Sequence, residues 1–157
     1  MGQDKIMEVR MIENGTVIDH IPPAALFKII SIMGLDRDTE HRMTIGTNLE
    51  SKRLGTKAII KINDRHPSPW EIDRIALFAP EARVNTIRNF EVVEKRTVEV
   101  PRSIEGFVKC ANPQCVTNHE TVETAFDVVA ENDGNIALKC RYCEKLTKNF
   151  GTKFNPY

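Results

Sequence analysis

The sequence predicts an α+β protein of two domains. Three features carry that expectation. Strand-like and helix-like segments follow one another in the order β-α-β-β-α-β through residue 98. All four cysteines come later, in two close pairs, Cys110 with Cys115 and Cys140 with Cys143. Pro101 stands between the two regions and begins a link. The division predicts one domain over residues 1–100 and a second, smaller one over 101–157.

The elements follow in order. Lys5 to Ile12 sets Met7, Val9 and Met11 on one face and Glu8 and Arg10 on the other, as a half-buried strand does. Asn14-Gly15 reads as a turn and Thr16 to Ile18 as a second short β-prone run. Asp19-His20-Ile21-Pro22-Pro23 reads as the turn before a helix, since either proline suits a first helical turn. Leu26, Ile29, Ile30 and Met33 then form an apolar stripe on a helix over Ala24–Met33, with Gly34 as its C′ cap. Arg42 to Gly46 predicts a strand with Met43 and Ile45 inward, and polar Asn48 to Gly55 a loop. Lys57 to Ile62 predicts a strand with Ile60 and Ile62 on one face and Lys57, Ile59 and Lys61 on the other. Ser68-Pro69-Trp70-Glu71 is a capping box. The helix it opens carries Ile72, Ile75, Ala76 and Ala79 on one stripe and ends at Pro80. Arg83 to Ile87 and Phe90 to Val98 predict a hairpin turning at Arg88-Asn89. Two helices on one face of such a sheet make the ferredoxin-like arrangement. Beyond Pro101, Thr124 to Ala130 and Asn135 to Lys139 are β-prone, with Asp133-Gly134 as their turn, so this module is expected to be all-β.

The cysteines are spaced for a metal. Cys110 to Cys115 is C-x4-C, 24 residues follow, and Cys140 to Cys143 is C-x2-C. Two turns, each offering two sulfurs, meet the demand of tetrahedral Zn²⁺. A closed set of four thiolates has no place for water, so one structural rather than catalytic zinc is expected, and such a small module would draw much of its folding free energy from it. Lys109, Lys139 and Arg141 each adjoin a cysteine, where a cation favours thiolate. Two disulfides would suit a secreted chain, but Met1-Gly-Gln-Asp-Lys5 does not resemble a signal peptide, which points to the cytoplasm. A thioredoxin-like redox pair would leave Cys110 and Cys115 unexplained. His119 is expected on a surface loop, and His41 and His66 in solvent.

Composition narrows the partners. The chain has 157 residues, 22 Lys+Arg against 22 Asp+Glu, and 6% aromatics. The balance holds in both regions, and nucleic-acid binders usually carry a basic excess. A zinc-ribbon nucleic-acid module is therefore the weaker alternative. No apolar run approaches the ~20 residues of a membrane span. No Gly-rich phosphate loop and no nucleophile elbow is present, and all four cysteines are committed to metal, so catalytic machinery is not expected. An enzyme with its own nucleotide chemistry is the remaining alternative. Lys57 and Lys61 point to one side of a strand, about 13 Å apart. With Lys95, Asp19 and His20 they could hold an anionic, hydroxylated ligand such as a nucleotide. From composition alone a solvated lysine face, with Asp19 capping a helix, is the favoured account.

Gly15-Thr-Val-Ile-Asp-His-Ile-Pro22 makes the chain recognisable. It resembles the aspartate carbamoyltransferase regulatory chains. Thr44-Ile-Gly46 with Asn48-Leu49, Lys61-Ile62, Leu77 to Pro80, Val84-Asn85, and Glu91-Val-Val93 with Lys95 also match. So do Cys110, Asn112, Cys115 and the run Ile136 to Glu144. The resemblance implies a non-catalytic regulatory subunit for pyrimidine biosynthesis. Its first domain would bind ATP as activator or CTP as inhibitor at one shared site, with UTP acting alongside CTP. Asp19, Lys61 and Lys95 would contact ribose, base or phosphates, assisted by Lys57, His20 and Asn85. Met11, Ile12, Val17, Ile87, Phe90 and Val92 would line the pocket, with Phe90 where a tyrosine is often found. Cys110, Cys115, Cys140 and Cys143 match the zinc ligands. The zinc domain would dock on the separate catalytic chain. Regulatory chains would form homodimers, three of which join two catalytic trimers in a dodecamer.

Overall fold

The computed structural model of the chain describes residues 11–148. It divides into two compact units, Met1–Glu99 and Val100–Tyr157. In the first unit β1 (Gly15–Ile21) lies at the centre of a five-stranded sheet with β2 (Met43–Ser51), β3 (Gly55–Asn63), β4 (Arg83–Arg88) and β5 (Glu91–Thr97). The order is β2-β3-β1-β4-β5, every neighbouring pair antiparallel. This is the predicted ferredoxin-like order with β5 added beyond β4. The strand expected over Lys5–Ile12 falls mostly outside the described residues.

Helices α1 (Leu26–Ile32) and α2 (Pro69–Phe78) supply the apolar faces that the sheet needs. Ile18 and Ile21 of β1, Ala58, Ile60 and Ile62 of β3, Leu26 and Ile29 of α1, and Ile75 and Ala76 of α2 are buried. Each large aliphatic side chain removed from water contributes about 1.5–3 kcal/mol. Pro23 opens a 3-10 turn, Pro23–Ala25, ahead of α1. The helix ends in a Schellman motif: Leu35 N–H donates to Ile30 O at 2.9 Å, Gly34 N–H to Ser31 O at 3.0 Å, and Gly34 has φ +63°. Gly15 is needed for a different reason. A Cβ there would stand 2.0 Å from Ile62 O, so only glycine lets β1 begin against β3.

Three sequence expectations give way here. Asp19 and His20 lie inside β1, not in a turn. Ile18 pairs with Ile60 and Ile21 with Ala58, so Asp19 and His20 together oppose Ile59 in a β-bulge, with His20 at φ +58°. The bulge lets Ile18 and Ile21, three apart, both enter the core. The loop expected over Asn48–Gly55 is mostly strand, because β2 runs to Ser51 and β3 starts at Gly55. Its polar side chains suit an edge strand, which needs only backbone pairing on one side. Met43 is half-buried and Ile45 is exposed at that edge, so Ile45 is not the core residue its alternation predicts.

Arg65 joins three segments. Its guanidinium donates to Met33 O at 2.6 Å, Asp38 Oδ2 at 3.3 Å and Glu71 Oε1 at 3.4 Å. Ser68 Oγ accepts the Glu71 N–H at 3.1 Å, the first half of the capping box, while the Glu71 carboxylate turns to Arg65. The two histidines expected in solvent both have side-chain partners. His41 is half-buried, its Nδ1 2.9 Å from Asp38 Oδ2, and His66, though exposed as expected, places Nδ1 2.9 Å from Thr16 Oγ1.

The second unit is a four-stranded antiparallel sheet: β6 (Ser103–Glu105), β7 (Ala125–Ala130), β8 (Ile136–Cys140) and β9 (Leu146–Thr147), in sequence order. The β7–β8 turn is the one predicted, with Gly134 at φ +82° and Asp133 Oδ1 accepting the Asn135 N–H at 3.0 Å. Phe126, Leu138, Val108 and Thr147 form its small buried centre. Among the described residues, no helix is long and apolar enough to cross a membrane.

Asp38 gives the first unit a pH signature. The His41 backbone N–H is the largest influence on its carboxyl, which with Glu40 N–H and the His41 ring is held at about 2 against an ordinary 3.8. A depressed carboxyl stabilises the fold above its unfolded value and loses that effect as pH falls through its folded value. Burial pushes Glu71 upward, beyond the opposing pull of Arg65, so a comparison with Asp38→Asn is needed to isolate Asp38. In denaturant unfolding followed by Trp70 fluorescence, wild type should exceed Asp38→Asn in stability at about pH 6. The gap should close between about pH 4 and about pH 2. A gap undiminished at the acid end would rule this assignment out.

Candidate metal centre and ligand pocket

The four cysteines converge from two turns. Cys140 ends β8 and Cys143 lies in the turn after it, while Cys110 and Cys115 bracket a turn followed by the 3-10 turn Val116–Asn118. Cys110 Sγ is 3.7 Å from Cys143 Sγ, and Cys115 Sγ is 3.7 Å from Cys140 Sγ. All four sulfurs lie within 4.8 Å of one another. A tetrahedron of 2.3 Å metal–sulfur bonds has edges of about 3.8 Å, so two edges already match and the others lie within about 1 Å of those a four-coordinate metal requires. No cysteine is in a disulfide.

Each sulfur also meets a backbone N–H two residues on: Asn112 for Cys110, Thr117 for Cys115, Tyr142 for Cys140 and Lys145 for Cys143. These donors favour thiolate. Burial nevertheless pushes the Cys110 thiol up to about 12. Burial raises Cys143 too, but the Lys145 N–H and the Asn112 side chain outweigh it and bring Cys143 down to about 6. Four crowded thiolates need a cation, and one of the three adjoining basic side chains is turned to another partner. Arg141, expected beside the thiolates, donates from Nε and Nη2 to Asp127 Oδ1 at 3.0 and 2.8 Å. His119 lies exposed with Nε2 2.7 Å from Pro113 O, outside the cluster.

In the first unit the helices leave one sheet face open. Strand register draws a row across it: Lys61 opposes Val17, Val17 opposes Asn85, and Asn85 opposes Lys95. Directly paired residues share a face. Three strand spacings separate the lysine backbones by about 14 Å, within reach of two long side chains. Beside this row is a pocket of about 200 Å³ lined by Met11, Ile12, Val17, Ile59, Lys61, Asn85, Ile87, Phe90 and Val92. Eight of these nine residues were expected there; Ile59 was assigned to this face without a role.

Asp19 and Lys57 share the open face. Lys57 Nζ lies 2.8 Å from Asp19 Oδ1 and 3.1 Å from Oδ2, so Asp19 binds a lysine instead of capping a helix. Burial raises the Asp19 carboxyl, but the Lys57 hydrogen bond and the His20 N–H pull it below its ordinary value. Burial lowers the Lys61 ammonium, with Asp19 opposing. His20 Nδ1 is 3.7 Å from Asp19 Oδ2, too far to bond. It and Asn85 Oδ1 are buried without a hydrogen-bond partner among the described residues. Unpartnered buried polar atoms call for an explanation, and a ligand supplies one. Phe90 adds strain. It shares the two-residue β4–β5 turn with Asn89, both at positive φ, +50° and +66°, where glycine is the usual second residue. Its ring is half exposed at the pocket.

A second concavity of about 270 Å³ lies near His66, Thr86, Arg88, Glu94 and Arg96. It holds none of the expected site residues and no orphaned polar atom among the described residues.

Residues 7–99 match the family described as aspartate carbamoyltransferase regulatory chain, allosteric domain. Residues 102–150 match aspartate carbamoyltransferase regulatory chain, metal binding domain. Curated relatives agree. The aspartate carbamoyltransferase regulatory chain of Phocaeicola vulgatus is 47% identical over 147 residues, covering 94% of this chain and 93% of that one. The Porphyromonas gingivalis chain of the same description is 50% identical over 139 residues, covering 88% and 90%. That of Pyrococcus horikoshii is 46% identical over 140 residues, covering 88% and 91%. With a four-cysteine cluster that supports a structural metal and an allosteric domain ahead of it, the chain belongs to the aspartate carbamoyltransferase regulatory chain family.

Proposed function

We propose that the chain senses ATP, CTP and UTP on the open sheet face and relays that state to the catalytic chain of aspartate carbamoyltransferase, controlling pyrimidine biosynthesis. The observation that carries the reading is the row Lys61–Val17–Asn85–Lys95, with an unpartnered Asn85 oxygen beside an apolar pocket. Lys61 and Lys95 offer cations to phosphates from either end. Asp19, held by Lys57, accepts from ribose or base hydroxyl and amine groups, with His20 beside it. Met11, Ile12, Val17, Ile87, Phe90 and Val92 take the flat base.

Cys110, Cys115, Cys140 and Cys143 hold one Zn²⁺. When bound, the ion would offset half the charge of the four thiolates and fix the two turns. Its role is structural, since four sulfurs close the shell. Residues 1–100 serve sensing and dimerisation, and residues 101–157 serve docking. Three regulatory dimers join two catalytic trimers in a cytoplasmic dodecamer, and neither nucleic acid nor membrane is a partner. Effectors act by population shift, biasing the assembly only as far as their affinity differs between its states.

Two outcomes test this reading. Lys61→Ala and Lys95→Ala should each weaken ATP and CTP binding roughly ten- to hundredfold, as loss of a charged hydrogen bond does. The double variant should lose binding altogether while retaining zinc. Calorimetry showing wild-type affinity for the double variant would refute the site. Removing zinc with a chelator should unfold the second unit and release catalytic trimers, seen by circular dichroism and size-exclusion chromatography. An assembly that survives complete removal of the ion would contradict the docking role.

A further inference from the structure

The Cys110–Cys115 turn is braced by side chains that are not themselves candidate ligands. Thr117 Oγ1 donates to Cys115 Sγ at 3.2 Å. The Thr117 backbone N–H meets the same sulfur, so one residue supplies two donors to one ligand. Asn118 holds that residue in place. Its Nδ2 donates to Cys110 O at 3.1 Å and Asn112 O at 2.7 Å, and its backbone N–H donates to Cys115 O at 2.9 Å. The 3-10 turn carrying Thr117 is thereby tied to both ends of the ligand loop. From the other side, buried Thr147 Oγ1 accepts the Ala111 N–H at 3.0 Å.

We propose that Thr117 is a positioning residue of the metal centre, whose hydroxyl, on a turn held by the Asn118 clamp, restrains the Cys115 sulfur at its place in the donor set and slows loss of the metal. The inference rests on the reading of the cluster as a zinc site. Loss of the ion requires the metal–sulfur bond of Cys115 to break and that sulfur to move away from the other three. A hydroxyl directed at that sulfur, on a turn tied to both ends of the ligand loop, opposes that movement. The effect is local to Cys115, because the hydroxyl meets no other sulfur at this distance.

The test uses the full chain with Zn²⁺ or Co²⁺ and two substitutions. Thr117→Val keeps the shape and removes the hydroxyl, whereas Thr117→Ser keeps the hydroxyl. Zinc transfer to a chromophoric chelator should be about tenfold or more faster from Thr117→Val and near wild type from Thr117→Ser, in line with the usual effect of outer-shell partners. In the Co²⁺ form, Thr117→Val should move the thiolate-to-metal charge-transfer band to longer wavelength, since the sulfur lone pairs lose a donor. Competition titration of Co²⁺ against a chelator reads affinity even if the metal-free variant does not fold. Equal transfer rates and bands for Thr117→Val and wild type would overturn the proposal. So would Thr117→Ser behaving like Thr117→Val, which would assign the effect to packing. A wild-type chain that takes up no stoichiometric zinc would instead defeat the metal reading itself, and this inference with it.

Discussion

The backbone ladder of β1 is the constraint on which the first unit depends. β1 is paired on both sides, with β3 and with β4, so its register fixes what stands opposite what across the sheet. A slip of one residue would exchange the two faces of the strand. It would send Ile18 out of the core and break the alignment of Lys61 and Asn85 on Val17. Gly15 pins the start of that register, because a side chain there would strike the Ile62 carbonyl. The bulge at Asp19–His20 adjusts its end, keeping Ile21 in the core while turning Asp19 toward Lys57. Packing and site geometry thus share one cause: the residues that bury the sheet dictate where its charged side chains appear.

The second unit has a different foundation. Its sheet is four short strands, and few large side chains are fully buried. An apolar centre of that size does not stabilise a fold by itself. Four sulfurs within 4.8 Å add a cost in the absence of a cation, since burial opposes their ionisation together. A metal ion reverses the sign of that cost, which is why binding and folding are coupled in such modules. The hydrogen bonds to the sulfurs come from the turns themselves, so the loop that presents each ligand also stabilises its charge.

What the sequence disclosed follows from how local each signal is. The alternation of β3 placed Ile60 and Ile62 inward and Lys57, Ile59 and Lys61 outward, and burial agrees. Ser68 announced the start of α2 through its cap, and Gly34 the end of α1 through its positive φ. The cysteine spacing announced the cluster. The failures are equally physical. A bulge breaks the two-residue period, so Asp19 and His20 resembled a turn. β2 is an edge strand whose polar side chains carry no burial signal. β6 and β9 are three and two residues long, too short for any periodicity. Arg65 gave no sign of its three partners, which come from separate segments. The site residues were legible mainly through family resemblance, because the Lys57–Asp19 contact spans 38 positions and only the fold brings them together.

On the proposed function, the arrangement of the pocket limits how opposite responses could arise. ATP, CTP and UTP would each bring the same triphosphate to Lys61 and Lys95, so those contacts would add affinity for all three without distinguishing them. A ligand bound equally well by two states shifts neither. Discrimination must therefore come from where the base meets the pocket wall. Ile12, Val17, Ile59 and Ile87 belong to or adjoin well-packed strands and can yield little. Phe90 differs: it is half exposed, carried on a two-residue turn, and held at a φ that costs a bulky residue roughly 1–3 kcal/mol. That turn is tied to the chain before β1, where Phe90 N–H donates to Glu13 O at 3.0 Å and Asn89 N–H to Asn14 Oδ1 at 3.2 Å. A larger base pressing on Phe90 would act on the turn and on the segment that begins β1. The least relaxed residue of the pocket is thus joined to the strand whose register orders the rest.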